Sequence, residues 1–241
     1  MPKHLLLTAW LVAAVPLMVH AQASASTELQ VRSVAPFRTI RVGGGIGLTI
    51  VAGAQQRVEV SAATADFRDR LVTKVVDDAL QISYDDLVER DDRKLMKTDH
   101  QLRVVVTTTF ITMLTATSGA AVQAEGNFTA PDCVFDASSG ASMVATGLAP
   151  QVLVVRESNG AAVTLAGTAP RLDVRTTSGA TFDGQKLQST TCQLEANGGS
   201  AARVYASKEL LLEANGGSVV RYYGPATVTK SLNGGSTASA K

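Results

Sequence analysis

Chemistry needs side chains that hold a proton, a metal ion or a transferable charge, and this 241-residue sequence is poor in them. Histidine occurs three times: His4 and His20 near the start, and His100 beside a charged stretch. That is too few for a histidine metal cluster, and a Ser-His-Asp triad would have to use His100. Residues 85–100 gather Asp85, Asp86, Glu89, Arg90, Asp91, Asp92, Arg93, Lys94, Lys97 and Asp99. Carboxylates at that density suit calcium, but the glycine and terminal glutamate of an EF-hand loop are missing, so a solvated loop is expected. Gly43-Gly44-Gly45-Ile46-Gly47 has the glycine content of a phosphate loop without the Lys-Ser/Thr that must follow, and a hairpin turn is expected there. Enzymes that cleave acidic polysaccharides on a β-helix use an arginine base and carboxylate-bound calcium. Arg203 and Arg221 are of the right type, yet Asp183 is the only acid at the same repeat position. The expectation is no catalytic residue, no metal and no cofactor.

What survives is a binding face. Arg203 and Tyr205 recur 18 residues later as Arg221 and Tyr223. Arginine and tyrosine together suit recognition of a sugar or a protein partner. The competing reading is an ordinary solvated face with arginine stems lying over tyrosine rings.

Those residues are positioned by a repeat. Thr117-Ser118-Gly119-Ala120 returns as Ser138-Ser139-Gly140-Ala141, Ser158-Asn159-Gly160-Ala161 and Thr177-Ser178-Gly179-Ala180. Three sharper copies follow: Asn197-Gly198-Gly199-Ser200, Asn215-Gly216-Gly217-Ser218 and Asn233-Gly234-Gly235-Ser236. The glycines Gly119, Gly140, Gly160, Gly179, Gly199, Gly217 and Gly235 are separated by 21, 20, 19, 20, 18 and 18 residues. A period near 20 marks a solenoid, each repeat being one coil laid on the last. Counted from each copy, the position three earlier reads Leu114, Phe135, Val155, Val174, Leu194, Leu212, Lys230, and the position five later reads Val122, Met143, Val163, Phe182, Ala202, Val220, Ala238. Apolar positions separated by steps of two describe strands with one buried face. The turn glycine supplies a positive φ, and the neighbouring Ser, Thr or Asn, with Asn197, Asn215 and Asn233 the clearest cases, can bond its own turn and its equivalent one coil away. Glu157 and Lys230 break the inward pattern, through a slip of register, a corner, or an open end at Lys230. A second corner, Gly147-Leu148-Ala149-Pro150 and Gly167-Thr168-Ala169-Pro170, is where residues can be shed as the period falls.

The same columns make two further expectations. Asp136, Arg156, Arg175, Glu195 and Glu213 should form an outward charge ladder. Cys133 and Cys192 share one inward column three coils apart, roughly 14 Å at about 4.8 Å per step, beyond the ~7 Å a disulfide spans. They should remain free and buried.

Ahead of the repeats, the pattern predicts strands and hairpins over 37–108: two strands around Gly43–Gly45, another through Val58 and Val60, a hairpin about Asp77-Asp78, and one helical turn with Phe67 and Leu71 on one side. Residues 1–21 read as a signal peptide, with Leu5 to Val19 apolar and Val19-His20-Ala21 a cleavage motif; 22–36 is a polar leader. The rest, 37–241, is then one solenoid domain, with the seven regular repeats over 109–241. Near-neutral charge, +1, gives no reason to expect nucleic acid. Aromatics make up only 5% of residues, against abundant small and β-branched types, which favours strands over helices.

Phe37-Arg38-Thr39-Ile40-Arg41-Val42, a glycine turn, Ile46 to Ile50, and then repeated Ser-Gly-Ala coils resemble the GIN-domain family of auto-transporter adhesin heads, over about Phe37 to Ser236. The change to Asn-Gly-Gly in the last three coils departs from it. The resemblance implies an all-β, right-handed parallel β-helix of 18–21 residues per coil in an exported protein of Bacteroidetes-type bacteria. No catalytic residue comes with it. The expected function is a non-enzymatic, adhesin-like surface for a glycan or protein, secreted, periplasmic or at the cell surface, with no transmembrane segment once the signal peptide is removed. The alternative is a structural or regulatory envelope protein without an outside ligand.

Overall fold

The structure, a computed structural model, describes residues 29–85 and 100–241. The expected signal peptide, positions 22–28 of the leader, and positions 86–99 of the charged stretch lie outside the described residues.

The chain opens with β1 (Gln30–Arg32), β2 (Thr39–Val42), β3 (Gly47–Val51), β4 (Arg57–Ser61), helix α1 (Ala65–Asp69), β5 (Leu71–Val76), β6 (Ala79–Tyr84) and β7 (Arg103–Thr107). The coils then alternate two strands: β8 (Met113–Ala116) with β9 (Ala121–Glu125), β10 (Asp132–Ala137) with β11 (Ser142–Leu148), and β12 (Val152–Glu157) with β13 (Ala162–Thr168). β14 (Arg171–Thr176) leads into the long β15 (Thr181–Asn197) and β16 (Ala201–Asn215), and the stack ends in β17 (Val219–Tyr223), β18 (Thr227–Leu232) and β19 (Thr237–Ala240). Every strand from β8 onward pairs in parallel with its equivalent one coil away, which makes the fold an all-β solenoid.

Stacking like on like explains the core. Leu114, Phe135, Val155, Val174, Leu194 and Leu212 follow one another in register and are all buried. Val122, Met143, Val163, Phe182, Ala202 and Val220 do the same from the second strand of each coil. Each large aliphatic side chain so buried contributes roughly 1.5–3 kcal/mol against the entropy of ordering its coil. Cys133, Leu153, Leu172, Cys192 and Leu210 form a third inner column, so the cysteines are free, buried and separated by two leucines.

The glycine-rich turn Gly43–Gly45 is not a hairpin turn. β2 and β3 do not pair with each other: β2 lies parallel on β8 and β3 parallel on β9, Thr39 opposite Met113 and Gly47 opposite Ala121. Gly44 and Gly45 have φ of 70° and 69°, and the Gly45 N–H donates to the Ser118 carbonyl at 3.0 Å. This is a solenoid corner, and β2 and β3 form a further coil beneath the repeats. Below it the stack closes: β6 pairs with β2 and β7 with β3 in parallel, then β5 and β4 reverse direction against them. The β5–β6 hairpin turns at Asp77-Asp78 as expected, both residues at positive φ. The expected helical turn is α1, capped by the Thr64 hydroxyl accepting from the Phe67 N–H at 3.2 Å. Phe67 is buried on it, and Leu71, also buried, begins β5.

The shedding of residues falls at the second corner. Gly184 opposes Val204, 20 residues on, but Gln188 opposes Tyr205, only 17 on, and Thr191 opposes Glu209, 18 on. From there the Gly-Xaa-Ala-Pro corner is gone and the strand runs through it as β15 and β16. Glu157 does not mark a slip of register. It pairs with Ala137 and Thr176 in an unbroken ladder and is 2% exposed, at the end of β12. Lys230 sits above Leu212 on the last coil and is exposed.

Candidate functional site

The outward positions of β15, β16 and β17 build the candidate face. Parallel register sets Arg203 opposite Arg221 and Tyr205 opposite Tyr223, adjacent strands being about 4.8 Å apart. Asp183 lies one coil before Arg203, and its Oδ2 is 3.0 Å from Arg203 Nη1. Both partners are partly exposed, so this pair contributes at most about 1 kcal/mol; its larger effect is to hold one guanidinium flat along the sheet. Arg221 is exposed and is followed in the ladder by Ser239, not by an acid. The Tyr205 ring lies along Gly224, where an added Cβ would stand 3.1 Å from the ring edge. The tighter constraint is backbone: at φ 95° an added Cβ would collide with the Ala206 carbonyl oxygen, so the corner itself requires Gly224 and the ring only borders it. The crevice between the two arginines holds only about 50 Å³. The face is an open surface, not a pocket. A roomier cleft, about 710 Å³, lies toward the other end of the stack, under Leu29 and between Arg103, Val105 and Val144; no sequence signal marked it.

The turn residues are brought together as expected, with one addition. Gly119, Gly140, Gly160 and Gly179 have φ near +72°, but the residue before each, Ser118, Ser139, Asn159 and Ser178, is also left-handed, at 52–55°. In the last three coils that position is Gly198, Gly216 and Gly234, followed by Gly199, Gly217 and Gly235. There the corners sit so close that a Cβ on Gly216 would be 3.2 Å from the Gly198 nitrogen. Asn215 Nδ2 donates to Asn197 Oδ1 at 2.9 Å, Asn233 Nδ2 to Asn215 Oδ1 at 3.1 Å, and Asn197 Nδ2 to Glu195 Oε1 at 2.8 Å. The asparagines form a continuous amide ladder up the corner.

The opposite sheet carries the charge ladder. Asp136 faces Arg156, Arg175 faces Glu195, and Glu195 faces Glu213 in register. Arg175 Nε lies 3.8 Å from Glu195 Oε2 and 3.9 Å from Asp173 Oδ1. Among the described residues no cluster of His, Cys, Asp or Glu could hold a metal ion. His100, the one histidine a triad could have used, packs its ring on Phe67 at 4.2 Å and Tyr84 at 5.4 Å, in the cap of the solenoid.

A parallel stack of coils with a ladder of turns at one corner and a polar outer face defines the class of the fold: a β-solenoid. The chain belongs to the family described as "Putative auto-transporter adhesin, head GIN domain", whose model matches residues 36–226. Three solved structures share the fold. A "putative adhesin" from Bacteroides fragilis aligns with TM-score 0.75 at 15% identity, covering 90% of this chain and 96% of its own. A "putative lipid binding protein" from Parabacteroides distasonis aligns at 0.67 and 12%, covering 90% and 98%. A "putative adhesin" from Parabacteroides merdae aligns at 0.62 and 14%, covering 90% and 97%. No curated protein matches the chain. Among the described residues no helix is long and apolar enough to cross a membrane.

Proposed function

We propose that this protein is an exported, non-enzymatic, adhesin-like solenoid that presents an extended surface to a glycan or protein partner at the cell surface. The observation that carries the proposal is the Arg203–Arg221 and Tyr205–Tyr223 double ladder, one guanidinium pinned by Asp183 and one exposed. A linear ligand laid along the stack meets the same pair of groups on two successive coils, so modest contacts add. Tyrosine rings offer flat apolar area at little entropic cost, and guanidinium groups fit carboxylates. A glycan bearing carboxylates uses both. Membership of an adhesin-head family supports the surface role.

Glycan-array and pull-down binding test this reading. Arg203→Ala combined with Tyr223→Ala should abolish binding and leave the melting temperature nearly unchanged, because both side chains lie outside the core. Loss of stability with binding intact would show the face to be structural. The absence of catalysis is checked separately: turnover of an acidic polysaccharide by the protein would refute it.

A further inference from the structure

The cleft of about 710 Å³ lies on the outer side of the sheet that runs β4, β7, β3, β9, β11, and its size suits a small organic ligand. Its floor is a row of small residues in register, Gly47 opposite Ala121 and Ala121 opposite Ser142. Gly47 opens β3 without a positive φ. A Cβ there would meet the Leu102 carbonyl oxygen at 3.5 Å and Arg103 Cγ at 4.0 Å, both ordinary contacts. The backbone therefore does not require glycine at this position, and a glycine that weakens a strand often marks the close approach of a ligand. The walls are largely apolar. Leu29 overhangs from the residue before β1, and Val105 and Val144 stand on the adjoining outward row with Thr49 and Gln123 between them. Leu29 and Val144 are two of the few exposed large apolar side chains among the described residues.

One end of the cleft is polar and positive. Ser61 and Arg103 are directly opposite on β4 and β7, so their Cα atoms lie about 5 Å apart. Ser61 lines the cleft at only 7% exposure, and its hydroxyl has no hydrogen-bond partner among the described residues. Arg103 is exposed, and no ion pair among the described residues engages it. Glu59, the acid on the neighbouring strand, is held by Arg57 at 2.8 Å, and among the described residues no Asp or Glu lines the cleft. We propose that this cleft binds a monocarboxylic acid with an extended apolar body. The carboxylate sits at the Ser61–Arg103 end, where the guanidinium offers a fork of N–H donors and the serine an O–H. The body lies across Gly47 and Ala121 toward Val144, crossing a strand about every 4.8 Å. The unpaired cation then gains its anion, the nearly buried hydroxyl its acceptor, and Leu29 and Val144 an apolar cover. A phosphate ester would bring a second charge for which the cleft has no second cation, and a cationic head would be repelled. The site shares no residue with the Arg203–Tyr223 face, so either can fail without the other.

Isothermal titration calorimetry with dodecanoate, kept below its micelle concentration, tests the proposal. One dodecanoate should bind per chain. Octanoate should bind at least about tenfold more weakly because its shorter chain covers less of the apolar wall, and dodecyltrimethylammonium should not bind. Arg103→Gln should weaken dodecanoate about tenfold and Ser61→Ala roughly fivefold. Gly47→Val and Ala121→Leu each fill the floor, from neighbouring strands, and should abolish binding. Circular dichroism and the melting temperature identify the variants that keep the native fold, and the exposed Arg103→Gln keeps the test decisive should a floor variant fail to fold. Failure of dodecanoate to bind, equal binding of dodecyltrimethylammonium, or binding unchanged in Arg103→Gln or in a folded floor variant would each overturn the proposal.

Discussion

Glu157 is a carboxyl group in the core with neither oxygen hydrogen-bonded. Burial raises its pKa from 4.5 to about 9, so in the folded protein it is neutral at pH 7. The unfolded chain releases that proton near 4.5. The folded state thus binds the proton more tightly, and the stability this gives is fully present below pH 4.5 and is lost as pH rises toward 9. Each pH unit across that window costs about 1.4 kcal/mol, so at pH 7 the loss is about 3 kcal/mol, a large fraction of a domain's net stability. Glu157→Gln keeps the shape and removes the titration. Urea unfolding of both proteins at pH 4.5, 7 and 9 isolates the effect, because every other titrating group cancels in the difference. The two should differ little at pH 4.5, and Gln should be the more stable by about 3 kcal/mol at pH 7 and by more at pH 9. A difference that does not change with pH would refute the reasoning and mean that Glu157 is ionised and paired in the fold.

Three other outcomes are expected. Burial first, then the charge of Asp132 for Cys133 and of Asp173 for Cys192, raises the thiols to about 11 and about 12; a disulfide reagent at pH 8 should find two thiols in denaturant and almost none without it. Gly119→Ala meets only the backbone cost of φ +74°, about 1–2 kcal/mol, while Gly216→Ala adds the crowding against Gly198 and should cost clearly more in thermal unfolding. Asn215→Ala removes two rungs of the amide ladder and should destabilise by about 1–2 kcal/mol; an unchanged melting temperature would mean that water replaces both bonds.

Much of this molecule was legible because the solenoid writes its register into the chain. A residue's neighbour in space is the residue one period on, so the cysteine column, the order of the charge ladder and the pairing of Arg203 with Arg221 all follow from counting. Gly43–Gly45 escaped that count. Its coil is separated from the next by the whole of β4 to β7, and its turn lacks the Ser-Gly-Ala spelling, so period and motif were silent together. The left-handed residue before each turn glycine was also hidden, since Ser, Asn and Gly share that position and only Gly advertises a positive φ. Glu157 looked like an error of register because the chemistry of its column forbids a charge; it obeys the column by staying protonated. The stacking of Arg203 on Arg221 and of Tyr205 on Tyr223 followed from position, but how open that face is depends on side-chain packing that spacing does not encode.

The loss of the second corner in β15 and β16 bears on how such a chain can lengthen. The circuit from Asn197 to Asn215 measures 18 residues and passes through that corner as unbroken strand in β16, and the next, to Asn233, measures 18 again with a short turn at Gly224-Pro225, so the successive Asn-Gly-Gly corners superpose in both spelling and circumference. Duplicating residues 198–215, Gly198 to Asn215, inserts one full circuit that meets Asn197 on one side and Gly216 on the other with no change of girth. The same operation among the earlier coils, where the circuit changes from 21 to 20 to 19, leaves a step in the wall. The narrow segment is therefore the part of the chain where unequal recombination yields a foldable product, and it is also the segment that carries the arginine and tyrosine pairs, so each added circuit extends the outer face by another set.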